Sequence, residues 1–169
     1  FDAYPWSVGL SGAGQAYVVE ELGRRVLALQ LSDTGWTTMW QRELPSDIDS
    51  YSSPTIRASD TPPLCLIQED REDAPTVAMD QSGEVSRTRR EGELIGCIAS
   101  GCAVYWRGDD DRGYEIMVWD GAECVILQPP PDQEWSDSLS VCGSGARLAV
   151  VDRGPSRSTL NIFRQQTHA

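Results

Sequence analysis

The chain has 169 residues and a formal net charge of −12, with 40% apolar and 24% charged residues, and all of its 14 basic residues are arginine. That length buries one sizeable core, and no apolar run approaches the ~20 residues a helix needs to cross a membrane. The acidic balance disfavours nucleic acid, whose phosphates reward a net basic face, and the lack of lysine removes Schiff-base and ammonium-clamp chemistry.

In chain order, short runs rich in Val, Ile, Leu, Tyr and Trp alternate with Gly, Ser, Asp and Pro punctuation, and no stretch carries an extended helical period. The spacing predicts strands at 7–10, 16–20, 25–31 and 37–42, an antiparallel meander of four. It predicts a second set at 55–58, 64–68, 76–80 and 84–89, and a third at 94–99, 103–107, 115–119 and 123–127. A fourth set begins at Leu139, runs through 148–151 and 159–163, and lacks its outer strand. The opening run of each set echoes the others: Ser7-Val-Gly-Leu-Ser-Gly12, Pro54-Thr-Ile-Arg-Ala-Ser-Asp60, Ile95-Gly-Cys-Ile-Ala-Ser-Gly101 and Leu139-Ser-Val-Cys-Gly-Ser-Gly145. The echoes recur at roughly 40 to 50 residues, the period of a four-stranded propeller blade. The expected fold is therefore an all-β propeller of four-stranded antiparallel blades, about four in this chain, at 6–45, 54–92, 94–130 and 138–165. They form a single domain or part of a larger ring.

Five cysteines, an odd count without a Cys-x-x-Cys pair, argue against a disulfide framework or a structural zinc site. Buried thiols are the expectation, with a Cys97–Cys102 bridge the alternative if the protein is exported, and an intracellular location is favoured. His168, the single histidine, lies one residue from the last, where packing does not orient it, so a triad or histidine-metal centre is disfavoured. The chain opens at Phe1 without an initiator Met, which suggests a fragment or processed product.

Three rim loops carry the densest polar chemistry. Asp109, Asp110 and Asp111, between Arg107 and Arg112, form a Gly-flanked acidic tip. A hard cation would suit Asp109 and Asp111, but the spacing lacks an EF-hand pattern, and a solvated hairpin tip is preferred. The acidic loop 69–73 is expected to be exposed. Arg87 and Arg89 share one face of a strand and offer a basic patch to an acidic peptide, a phosphate or loop 69–73. The three prolines at 129–131 stiffen an arm that ends in Trp135. A rigid connector is its expected role, and an exposed Trp135 would instead mark a partner site. Asp109, Asp110, Asp111, Arg112, Trp135, Arg87 and Arg89 are thus the candidate partner-binding residues, with no catalytic or metal-ligating residue assigned.

Two segments resemble the quinoprotein-type, or pyrroloquinoline-quinone-like, propeller repeat, in which Ala-x-Asp and a Gly turn precede a Trp. Ala28-Leu-Gln-Leu-Ser-Asp-Thr-Gly35 with Met39-Trp40 is similar to it, with Gln30 in place of Asp, and Ala78-Met-Asp-Gln-Ser-Gly83 resembles it without a following Trp. The last set resembles the NHL class equally, and the whole keeps a WD40-like outline. The resemblance implies seams between blades filled by Trp40, Trp106 and Trp119. The enzymatic branch of the quinoprotein family holds its quinone with a vicinal Cys pair, basic side chains and Ca²⁺. This chain has no adjacent Cys pair and no Lys, so the resemblance implies the scaffold branch and no cofactor. The expectation is a non-catalytic platform that binds a protein partner through its rim loops. One alternative is a carboxylate-based hydrolase or lyase with its site at the ring centre. Another is a structural segment that completes a larger ring with other segments or a second copy.

Overall fold

The structure, a computed structural model, describes residues 5–20, 24–48, 54–60, 63–70, 74–88, 92–98, 102–109, 113–136, 138–144, 147–153 and 157–164. Fifteen strands and no helix lie among these residues, so no helix is long and apolar enough to cross a membrane. The chain divides into two compact units, Phe1–Glu91 and Gly92–Ala169, each built of two sheets.

Unit 1 holds β1 (Pro5–Leu10), β2 (Gln15–Glu20), β3 (Arg25–Ser32) and β4 (Gly35–Glu43) in one antiparallel sheet. Its second sheet is β5 (Thr55–Asp60), β6 (Pro63–Gln68), β7 (Thr76–Asp80) and β8 (Gly83–Thr88). Unit 2 holds β9 (Glu93–Ile98), β10 (Cys102–Asp109), β11 (Gly113–Trp119) and β12 (Cys124–Leu127). Its other sheet is β13 (Leu139–Ser144), β14 (Arg147–Arg153) and β15 (Ser158–Arg164). Every strand pairs with its neighbour in sequence, the up-and-down order of propeller blades. The fold class is the all-β propeller that the repeat predicts. The fourth sheet has three strands among the described residues.

Alternation of side chains fixes each core, because residues two apart share a face. In unit 1, Tyr17 and Val19 of β2, Val26 and Ala28 of β3, Cys65 and Ile67 of β6, and Val77 and Met79 of β7 form one buried cluster, joined by Leu44, Ile48 and Ile56. A fully buried Val, Ile or Met contributes ~1.5–3 kcal/mol by leaving water. The outer strands β4 and β8 are mainly exposed, which accounts for their polar sequences. In unit 2, Val104, Ile116, Leu148 and Val150 play the same part, with Trp135 and Phe163 at one side.

The first strands of consecutive sheets within a unit approach each other, β1 beside β5 and β9 beside β13. A glycine sits at each approach. A Cβ on Gly9 would lie 3.3 Å from the Ile56 carbonyl oxygen, and one on Gly96 would lie 2.5 Å from Cγ2 of Val141. Both glycines belong to the echoed sequence runs, so part of that echo records a steric need for room.

Of the tryptophans expected at seams between blades, Trp40 and Trp106 make their ring contacts within their own sheets. Trp40 is half-buried against the unit 1 core, with its ring 5.8 Å from Tyr17. Trp106 stacks on Tyr114 of its own sheet, 5.3 Å apart and 12° from parallel. Tyr114 in turn lies over Gly108, directly opposite it in register, leaving no room there for a Cβ. All five cysteines are free thiols, with Cys65, Cys97 and Cys102 buried and Cys124 and Cys142 exposed.

The β7–β8 turn shows how a local hydrogen bond tunes a surface acid. Asp80 accepts from the backbone N–H of Ser82 at 2.6 Å and from its hydroxyl at 2.5 Å, with Gly83 in the left-handed region at φ 118°. The hydroxyl bond, followed by the backbone bond, holds the Asp80 carboxyl below the ordinary aspartate range. A depressed folded pKa adds stability that is present above the unfolded pKa and is lost as pH falls through the folded one. Ser82→Ala is expected to raise the Asp80 midpoint only part of the way back, because the backbone donor remains. A carboxyl ¹³C titration checks this, and an unchanged midpoint would remove the hydroxyl from the account.

Candidate functional site

Of the seven residues proposed from sequence, Arg87, Asp109 and Trp135 lie among the described residues. Trp135 is 4% exposed and donates its indole N–H to the Leu127 carbonyl at 3.1 Å, with its ring 6.1 Å from Phe163. It is a core residue of unit 2, and its burial removes it as a partner contact. The stiff proline arm delivers it inward because a large apolar ring with one donor gains most from a buried position beside a free carbonyl.

Arg87 on β8 is held by Glu84, at 3.0 and 2.7 Å, and by Asp47. Those hydrogen bonds, with Glu84 the larger, raise its pKa above the usual arginine value. Its acidic partners are therefore Glu84 and Asp47 of its own unit. Asp109 ends β10, while Asp110, Asp111, Arg112 and Arg89 lie outside the described residues. Among the described residues no three His, Cys, Asp or Glu side chains converge as a metal-ligand set.

Loop 69–73 differs from expectation at its first residue. Glu69 is 5% exposed, directly after β6, and the neighbouring Gln68 amide donates to the Ala74 carbonyl at 3.2 Å. Thr76, opposite Gln68 in register, is also buried, and its hydroxyl has no hydrogen-bond partner among the described residues. Glu69 is thus buried whereas its neighbour Asp70 is exposed.

This burial belongs to a pattern that sequence reading missed. A carboxylate stands where the second strand ends in three of the four sheets: Glu20 on β2, Glu69 after β6 and Asp152 on β14, all buried. Ionised groups leave water at high cost unless something compensates. Glu20 is compensated by Arg25 at 2.5 Å, and Asp152 accepts from the Ser136 hydroxyl, which ties the Trp135 connector to β14. In the third sheet the corresponding register position, opposite the start of β9, is Trp106. The signal was in the chain as an acid closing an apolar run, in Val18-Val-Glu20, Leu66-Ile-Gln-Glu69 and Val150-Val-Asp152. Unit 1 thus carries two buried carboxylates, Glu20 and Glu69, where the second strands of its two sheets end.

No known family model matches the chain, and no curated protein sequence does. Among solved structures, the chain is similar to a streptogramin B lyase at 13% identity, with a TM-score of 0.50 over 99% of this chain and 56% of the lyase. It is also similar to virginiamycin B lyase from Staphylococcus aureus at 14% identity, with a TM-score of 0.49 over 99% of this chain and 57% of that one. The chain therefore spans somewhat more than half the length of these lyases. At such identity the likeness establishes the fold alone. It nevertheless corrects the expectation of a non-catalytic interaction scaffold. That expectation took the lack of an adjacent Cys pair and of Lys as a mark of the scaffold branch, and a solved lyase that is not a quinoprotein by name carries a similar framework.

Proposed function

We propose that this chain belongs to a propeller enzyme of the lyase class, with Glu69 as a general acid or base. The observation that carries the proposal is the burial of Glu69 directly after β6, the place in its sheet that corresponds to buried Glu20 at the end of β2. A lyase must remove a proton from one atom and protonate a leaving group on another, without consuming water, and a buried carboxylate serves such transfers well. Glu20, tied to Arg25, holds the frame rather than the proton. The likeness to two lyases over the whole chain supports the class of reaction, and their names supply streptogramin B as the probe substrate. Within the propeller class, the repeat is read as the quinoprotein-like type on the strength of Ala28 to Trp40 and Ala78 to Gly83.

The purified protein is expected to cleave streptogramin B by elimination, with no mass of water gained in the product or summed products. Glu69→Gln is expected to lower kcat by roughly 100-fold or more, the usual contribution of a positioned acid or base, with the circular dichroism spectrum preserved. A product heavier by one water would make the enzyme a hydrolase, and full activity in the Gln variant would remove Glu69 from the chemistry.

A further inference from the structure

One turn of unit 2 carries a backbone that can react with its own side chain. Asp120-Gly121 is the single Asp-Gly step in the sequence, and it lies in the exposed turn between β11 and β12. Gly121 adopts the left-handed region at φ 101°, with no atom within 4 Å of where a Cβ would stand. Because the residue after the aspartate has no side chain, its backbone nitrogen has open access to Asp120 Cγ. Ring closure would join the Gly121 nitrogen to that carbon, breaking one Cγ–O bond of the protonated carboxyl. Its hydroxyl leaves with the Gly121 amide proton as one water. Water then adds back to either carbonyl of the cyclic imide and gives aspartate or isoaspartate, with no net change in mass and no oxidant or reductant.

The turn restrains the group that must move. Asp120 Oδ1 accepts from the backbone N–H of Glu123 at 2.8 Å and of Ala122 at 2.9 Å, and the Asp120 N–H donates to the Glu123 carbonyl at 3.3 Å. The Glu123 bond, followed by the Ala122 bond, holds the carboxyl below the ordinary aspartate range, so the protonated form is scarce. Asp80 offers a comparison within the chain. Its carboxylate is held in a similar way by Ser82, but Gln81 follows it and places a side chain beside the attacking nitrogen.

We propose that Asp120-Gly121 is a site of isoaspartate formation, which the two backbone donors keep unreacted until the β11–β12 hairpin opens. Opening is accessible because β12 has only four residues, of which Val125 and Ile126 are 55% and 44% exposed, so little burial opposes it. The product adds a methylene to the main chain beside the Trp119–Cys124 pair that begins the β11–β12 ladder. That ladder ends at Leu127, whose carbonyl accepts the Trp135 indole N–H, so a shift in register reaches the unit 2 core. This inference is independent of the lyase reading, because the reacting residues lie in unit 2 and that reading rests on Glu69 of unit 1.

The test incubates the full chain at neutral pH in heavy-oxygen water, folded and in urea, then digests it and measures isoaspartate at each aspartate. Peptide mass reports the incorporated oxygen, and an isoaspartate-specific methyltransferase reports the product. In urea, isoaspartate is expected at Asp120 and not at Asp80, forming at least about tenfold faster than in the folded protein. Trp135→Phe, which frees the Leu127 carbonyl, should speed the folded-state reaction roughly fivefold or more. Folded chains that react as fast as unfolded ones would overturn the restraint, and unfolded chains that stay unmodified at Asp120 would overturn the site. An unchanged rate in Trp135→Phe would overturn its dependence on hairpin opening.

Discussion

Replacing Trp135 by alanine is expected to destabilise unit 2 by about 3–5 kcal/mol, the range for truncating a buried aromatic residue. The indole fills space among Ile98, Val104, Leu148 and Phe163, and its N–H satisfies the Leu127 carbonyl. Trp135→Phe should retain most of the packing and lose the hydrogen bond, at a cost of about 1–2 kcal/mol. Urea unfolding followed by far-ultraviolet circular dichroism separates the two, since it does not depend on the removed fluorophore. Equal and small losses in both variants would mean that the ring does not bear on the core.

Gly96→Val is expected to cost about 3 kcal/mol, the upper end for overpacking a well-filled core. A side chain there begins 2.5 Å from a methyl of Val141, and valine's branched Cβ leaves Val141 few ways to turn aside. Gly9 serves the equivalent approach in unit 1 with more space, because its nearest obstacle is the Ile56 carbonyl at 3.3 Å. Gly9→Ala should therefore be milder than Gly96→Ala in the same urea measurement, and the reverse order would contradict the steric account.

The strands were legible where punctuation and alternation agree. Thr76–Asp80 lies between Pro75 and the Gln81-Ser-Gly83 turn, and both ends can be read directly. Bulges and extra pairs shift other ends, as in Cys102–Asp109, which runs two residues past the sequence expectation because Gly108 and Asp109 pair with Tyr114 and Gly113. The sites were less legible because their determinants are distant in sequence. Asp47 reaches Arg87 from another part of the unit, and Glu69 looks like one more charge in a solvated run although it is buried. The prolines before Trp135 announce stiffness but not direction. Inward orientation is set by packing against Phe163 and the rest of the unit 2 core, which no local pattern encodes.

That the strands within each sheet pair in sequence order has a kinetic consequence. Each hairpin closes a short loop at little entropic cost, so individual sheets can zip without waiting for remote segments to meet. The slow event is then the seating of one finished sheet on the next, at the narrow approaches marked by Gly9 and Gly96. A bulky residue at either position would act chiefly on the docking barrier, leaving hairpin formation quick and prolonging the lifetime of half-assembled chains.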